Sequence, residues 1–65
     1  MKLTEEFITS NWEQDFEEGQ YFVHLNDGDT IGYDMDSELF SLNNYWNEIS
    51  YEEVVELIKQ KGMDL

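Results

Sequence analysis

Sixty-five residues make a single domain, 1–65, that buries only about 60% of the surface its unfolded chain exposes, so its core must be small and built from large side chains. Sixteen Asp and Glu against three Lys and no Arg give a formal net charge of −13, which excludes a basic nucleic-acid-binding surface. The absence of cysteine excludes disulfides and thiolate zinc sites and fits a reducing cytoplasm.

Two Trp, four Tyr and four Phe within a 40% hydrophobic composition argue for a folded chain, since each aromatic removes roughly 150 to 250 Å² from water. No apolar run approaches the roughly 20 residues of a membrane span, and MKLTEEF lacks the apolar stretch of a signal peptide, so neither a membrane nor export is expected.

Thr4 is placed to cap a first helix, with Glu5 and Glu6 at the positive end of its dipole. At about 100° per residue, Phe7, Ile8, Trp12 and Phe16 fall on one broad side and Glu6, Glu13 and Glu17 form a stripe on another. Gly19 is a reasonable stop, although Ser10-Asn11 offers an earlier interruption. QYFVHL reads as a strand, with Tyr21, Val23 and Leu25 alternating against Phe22 and His24, and TIGYDM follows with Ile31, Tyr33 and Met35 alternating. A type I turn over residues 25–28, with Gly28 left-handed as a bulge, sets Val23 opposite Ile31 and Tyr21 opposite Tyr33. A symmetric two-residue turn would oppose Val23 to Gly32 and scatter the apolar side chains, so the bulged form is expected.

A third antiparallel strand is expected around Leu39 to Leu42, with a turn at Asn43-Asn44, although Met35, Leu39, Leu42 and Trp46 also fit a helical face. The last element is a helix. Ser50 and Glu53 match the capping box S-x-x-E, Ile49 and Val54 stand at hydrophobic-staple positions, and Val54, Val55, Leu57 and Ile58 give the buried face. Lys59 and Lys61 suit its C-terminal end, which Gly62 can close. The expected fold is α+β: an N-terminal helix, an antiparallel β-hairpin or three-stranded sheet, and a C-terminal helix.

The stretch NDGDTIGYDMDSE, residues 26–38, matches a calcium loop at Asp27, Asp29, Gly32 and Glu38. It departs from the pattern at Ile31, where a third oxygen ligand belongs, and at Asp34, where an apolar residue is usual. The strand character of YFVHL also stands where an entering helix is required. No metal or other cofactor is expected. His24 is the lone histidine and reads as a structural or surface residue. Carboxylate pairs occur too densely to mark an acid/base site, and so small a fold leaves little room for a pocket, so no enzyme activity is expected.

The acids are better read as a surface. On an extended segment Asp34, Asp36 and Glu38 would point to one side about 6.6 Å apart, with Tyr33 and Met35 on the other. The helix stripe would supply a second row, and Glu52 with Glu56 a third. Such rows resemble a nucleic-acid backbone, which carries a phosphate per ~3.4 Å of rise on each strand. No basic residue occurs between Lys2 and Lys59, and like-charged i, i+4 pairs such as Glu52 and Glu56 are unfavourable without a basic partner.

The basic-free span from Leu3 to Ile58, with its acidic runs EQDFEE and DGDTIGYDMDSE, resembles the small acidic phage-encoded host-takeover and anti-defence proteins that imitate DNA, most of all the lytic-phage inhibitors of the bacterial histone-like protein HU. The resemblance lies in size and charge over the whole chain. It implies occupation of the DNA-binding surface of a basic nucleoid-associated protein, in the bacterial host cytoplasm or nucleoid, without direct nucleic-acid binding, and it is compatible with a homodimer. The partner-facing residues expected are Glu13, Asp15, Glu17, Glu18, Asp27, Asp29, Asp34, Asp36, Glu38, Glu52 and Glu56. Relatives of this kind also act on restriction enzymes and CRISPR effectors. An antitoxin or immunity protein would instead use an aromatic and acidic patch, with Tyr45 and Trp46 as anchors; Trp46 reads more readily as core.

Overall fold

The computed structural model describes residues 2–65. Helix α1 spans Glu5–Asn11 and α2 spans Tyr51–Lys61. The strands β1 (Glu13–Gln14), β2 (Gln20–Leu25), β3 (Thr30–Asp34), β4 (Leu39–Leu42), β5 (Glu48–Ile49) and β6 (Met63–Asp64) form one antiparallel sheet. Its order is β1-β2-β3-β4-β5, and β6 shares the outer edge of β2 with β1. The class is α+β. The sheet is five strands across rather than three, because β1, β5 and β6 add two-residue pairings that the hydrophobic pattern does not mark.

The first helix is shorter than its apolar periodicity suggests. The Thr4 hydroxyl accepts the Phe7 N–H at 3.1 Å, but the backbone turns extended at Trp12 after only seven residues. Asn11 contributes to the stop: its side-chain amide donates to the Phe7 carbonyl at 2.9 Å, competing with its own backbone N–H for that acceptor. Three expectations fall with it. Glu13 lies on β1 and Glu17 in the following turn, so Glu6, Glu13 and Glu17 form no helical stripe. Phe16 is fully exposed instead of joining the core. Gly19, with φ of 86°, closes the connection into β2 rather than a helix.

The hairpin has the expected register, with Val23 opposite Ile31 and Tyr21 opposite Tyr33. Gly28 has φ of 98°, its N–H donates to the Leu25 carbonyl at 3.0 Å, and the Leu25 N–H donates to the Asp29 carbonyl at 2.7 Å. A side chain at Gly28 would disfavour that left-handed backbone. β4 pairs with β3 from Ile31↔Leu42 to Asp34↔Leu39, and Asn43 turns the chain with φ of 67°. Phe40 is buried while Met35 and Leu39 are exposed, which excludes the helical alternative. At the start of α2 the Ser50 hydroxyl accepts the Glu53 N–H at 3.1 Å, and at its end the Gly62 N–H donates to the Ile58 carbonyl at 2.8 Å.

Val23, Leu25, Ile31 and Tyr33 of the hairpin and Phe40 of β4 turn to one face, where they meet Ile8, Trp12, Val54 and Ile58 from the helical side. Phe40 is the hub of the aromatic packing, edge-on to Trp12 at 6.3 Å and to Tyr51 at 6.1 Å between ring centres. Each such pair adds roughly 0.5–1.5 kcal/mol beyond area burial. The Tyr51 hydroxyl accepts the Leu3 N–H at 3.0 Å and ties the N-terminal segment to α2. With both helices on this face, the opposite face of the sheet, carrying Phe22, His24, Thr30, Gly32, Asp34 and Ser41, has no helical cover.

Candidate functional site

Two features of the uncovered side stand out: the concentration of carboxylates at one end of the sheet, and an aromatic groove across its middle. The β1–β2 and β3–β4 connections are neighbours, joined by the Met35 N–H donating to the Gly19 carbonyl at 2.8 Å, with the Asp36 carboxylate beside Gly19. This brings together six of the expected partner-facing residues, Asp15, Glu17, Glu18, Asp34, Asp36 and Glu38, while Glu13 lies farther along β1, opposite Phe22. They do not form the straight rows expected. Asp34 ends β3, its carboxylate accepts the Asp36 N–H at 2.9 Å, and Glu38 adopts φ of 60° in the turn. The acids therefore sit on a folded tip rather than along an extended edge.

The remaining expected residues are elsewhere. Asp27 and Asp29 occupy the opposite end of the hairpin, where both carboxylates hold the Lys61 ammonium, at 2.6 and 2.8 Å. Lys61 therefore lowers the Asp27 pKa, and both carboxylates raise that of Lys61. Their charge is partly offset, and the turn they share with the preceding strand β2 has a lysine where a calcium loop would need an open site. Among the described residues no group of three or more His, Asp or Glu is arranged around a common metal position. Glu52 and Glu56 are exposed on α2, in the other layer of the fold. The molecule is thus electrically uneven, with uncompensated carboxylates at one end and Lys61 at the other.

The groove, of about 500 Å³, runs over Phe22 and Gly32 between His24, Tyr45 and Trp46. Residues 43–47 lay Tyr45 across the sheet. Burial, with its hydroxyl donating to the Asp15 carboxylate at 2.9 Å, holds its pKa well above the ordinary phenol value. Gly32 is required beneath it, since a Cβ there would approach the Tyr45 ring to 2.8 Å and the Ser41 hydroxyl to 2.7 Å. Trp46, next along the loop, is 96% exposed, a correction to its expected place in the core. Its backbone N–H donates to the Asn44 side-chain oxygen at 2.9 Å, which fixes the turn that presents it. Phe22 packs edge-on against His24 at 5.4 Å, and the His24 Nδ1 lies 2.8 Å from the Thr30 hydroxyl.

The groove was the part hardest to foresee. The alternation of QYFVHL places Phe22 and His24 on the face away from Val23, and a glycine inside the strand TIGYD signals close approach by another group. Neither signal says that the approaching group is Tyr45, thirteen residues along.

No protein-family profile, curated protein or solved structure matches this chain. No helix among the described residues is long and apolar enough to cross a membrane.

Proposed function

We propose that this protein is a DNA-mimicking inhibitor that occupies the basic DNA-binding surface of a bacterial nucleic-acid-binding protein of the HU type. The observation that carries the reading is the acidic tip, where six carboxylates from two adjoining connections and the strand end beside them stand without a lysine among them. Folding them together raises their mutual repulsion, a cost that a basic partner converts into attraction. The tip is held by backbone hydrogen bonds and by the Asp15–Tyr45 contact, so its charges are ordered before a partner arrives and little ordering entropy is lost on binding. Association would be fast and would weaken with salt, as exposed charges are screened over about 8 to 10 Å near physiological ionic strength. The protein itself would not bind DNA or RNA, having no basic patch to release counterions.

The test is displacement of labelled duplex DNA from HU at about 0.1 M salt. Displacement supports the reading, and its absence excludes HU. The exposed Trp46 and Phe16 favour a second reading, an antitoxin, immunity or anti-restriction protein anchored on one enzyme by aromatic side chains. Affinity purification from bacterial lysate separates the two: retention of a nucleoid protein supports mimicry, and retention of a single toxin or nuclease supports the second.

A further inference from the structure

We infer that the groove on the helix-free face receives an arginine side chain of the basic partner, its guanidinium stacked between Trp46 and Phe22 and paired with Asp15. The inference rests on the proposed function only in taking the partner to be basic. The lining is aromatic: Trp46 is open to solvent, Phe22 is half-buried, and the Tyr45 ring packs directly on Gly32 and closes that side of the groove. Asp15 stands at one side with one carboxylate oxygen held by the Tyr45 hydroxyl and the other by the Phe16 N–H, at 2.9 and 2.7 Å. Each of those oxygens retains a lone pair for a further donor.

Aromatic faces beside an oriented carboxylate suit a planar cation. A guanidinium is weakly hydrated, stacks on rings and offers several donors in one plane, whereas an ammonium is compact and strongly hydrated. The other candidates for an exposed aromatic groove fit less well. A nucleic-acid base would bring its phosphate toward Glu13, Asp15, Asp34 and Glu48 around this face, and a second copy of the chain would bring another charge of −13. Charge complementarity selects a cationic segment.

The experiment is titration of the uniformly ¹⁵N-labelled full chain with three short peptides, acetyl-Gly-X-Gly-amide with X arginine, lysine or the uncharged isostere citrulline. Binding is read from the Trp46 indole signal and the Phe22 and Gly32 amides. The arginine peptide is expected to give saturable shifts at these positions and to bind about fivefold more tightly than the lysine peptide, with no saturable response to citrulline. Trp46→Ala should lower arginine affinity about fivefold and Trp46→Phe should restore part of it, while Glu17→Gln with Glu18→Gln should change it less than about twofold at 0.15 M salt. Asp15→Asn, which removes the charge and leaves one acceptor oxygen in place of two, should also weaken it. Equal responses to arginine and lysine, or shifts centred on residues 17–19 and 36, would overturn the inference, because they would mean diffuse attraction to the tip. Arginine selectivity at Trp46 together with failure to displace DNA would retain the groove and sink the DNA-competition reading.

Discussion

At the scale of single residues, the conformations that matter are those a side chain's chemistry forces. Gly62 closes α2 with φ of 78° and ψ of 148°, a region that essentially only glycine occupies, and a Cβ there would meet the Asn26 amide at 2.6 Å. Gly62→Ala should therefore cost about 1–3 kcal/mol, read as a lowered urea midpoint with unchanged slope; an unchanged midpoint would show that the C-terminus relaxes freely.

Tyr33 is a second such residue. Burial, with its hydroxyl donating to Glu5 at 3.0 Å, pushes its pKa up to about 12. A phenol whose folded pKa is raised contributes stability that is complete below its ordinary value near 10 and is lost as pH rises from there through about 12. Lys61, raised by its two aspartates, acts in the same direction at alkaline pH; Asp27, lowered by Lys61, contributes above its ordinary value of 3.8 and loses it as pH falls through the folded value. The stability gap between the parent and Tyr33→Phe should narrow between about pH 10 and 12, and a constant gap in urea melts would contradict the assignment. Residue by residue, sequence patterning was informative where burial follows strand alternation, as at Val23, Ile31 and Tyr33. It misled at Phe16 and Trp46, where large aromatics stand in solvent, because hydrophobicity alone cannot tell a core residue from one exposed for a partner.

At the scale of elements, legibility followed the strength of local signals. The hairpin was readable down to its bulge because register and turn chemistry agree: only one pairing gathers the apolar side chains, and Gly28 stands where that pairing needs a left-handed residue. α2 was readable from its caps, and Ser50→Ala should cost about 1 kcal/mol by removing the acceptor for the Glu53 N–H. A thermal melt checks it, and the fall should exceed that of Ser37→Ala, which lies in an exposed turn. α1 was overextended because Trp12 and Phe16 continue a helical period, while the competing hydrogen bond from Asn11 and the pairing of Glu13 with Phe22 are set by short-range side-chain chemistry and by a strand outside the window. β1, β5 and β6 were not legible at all. Two-residue strands of mixed polarity carry no period, and their pairing is decided by the edges that β2 and β4 leave open.

At the scale of the whole molecule, the fold turns an excess of like charge into an uneven one. Both helices and every large apolar hairpin residue of the core are spent on one face, so the other face is free to carry Glu13, Asp15 and Asp34 beside an aromatic groove built on Phe22, while Lys61 is drawn to the far turn. The sequence reading anticipated an acidic surface but divided it among three rows. Tertiary structure gathers six of its members by placing two connections side by side, and it removes Asp27 and Asp29 to the end held by Lys61.

The central claim, that the tip competes with DNA for a basic protein surface, is tested most directly by fluorescence anisotropy of labelled duplex DNA bound to HU. Parent protein is compared with a variant carrying Glu17→Gln, Glu18→Gln, Asp34→Asn, Asp36→Asn and Glu38→Gln, whose circular dichroism should match the parent's. At about 0.1 M salt the parent should release the DNA and the variant should need at least about tenfold more protein, with the difference shrinking as salt rises. Release at equal concentrations by parent and variant, or no release by the parent, would contradict the account.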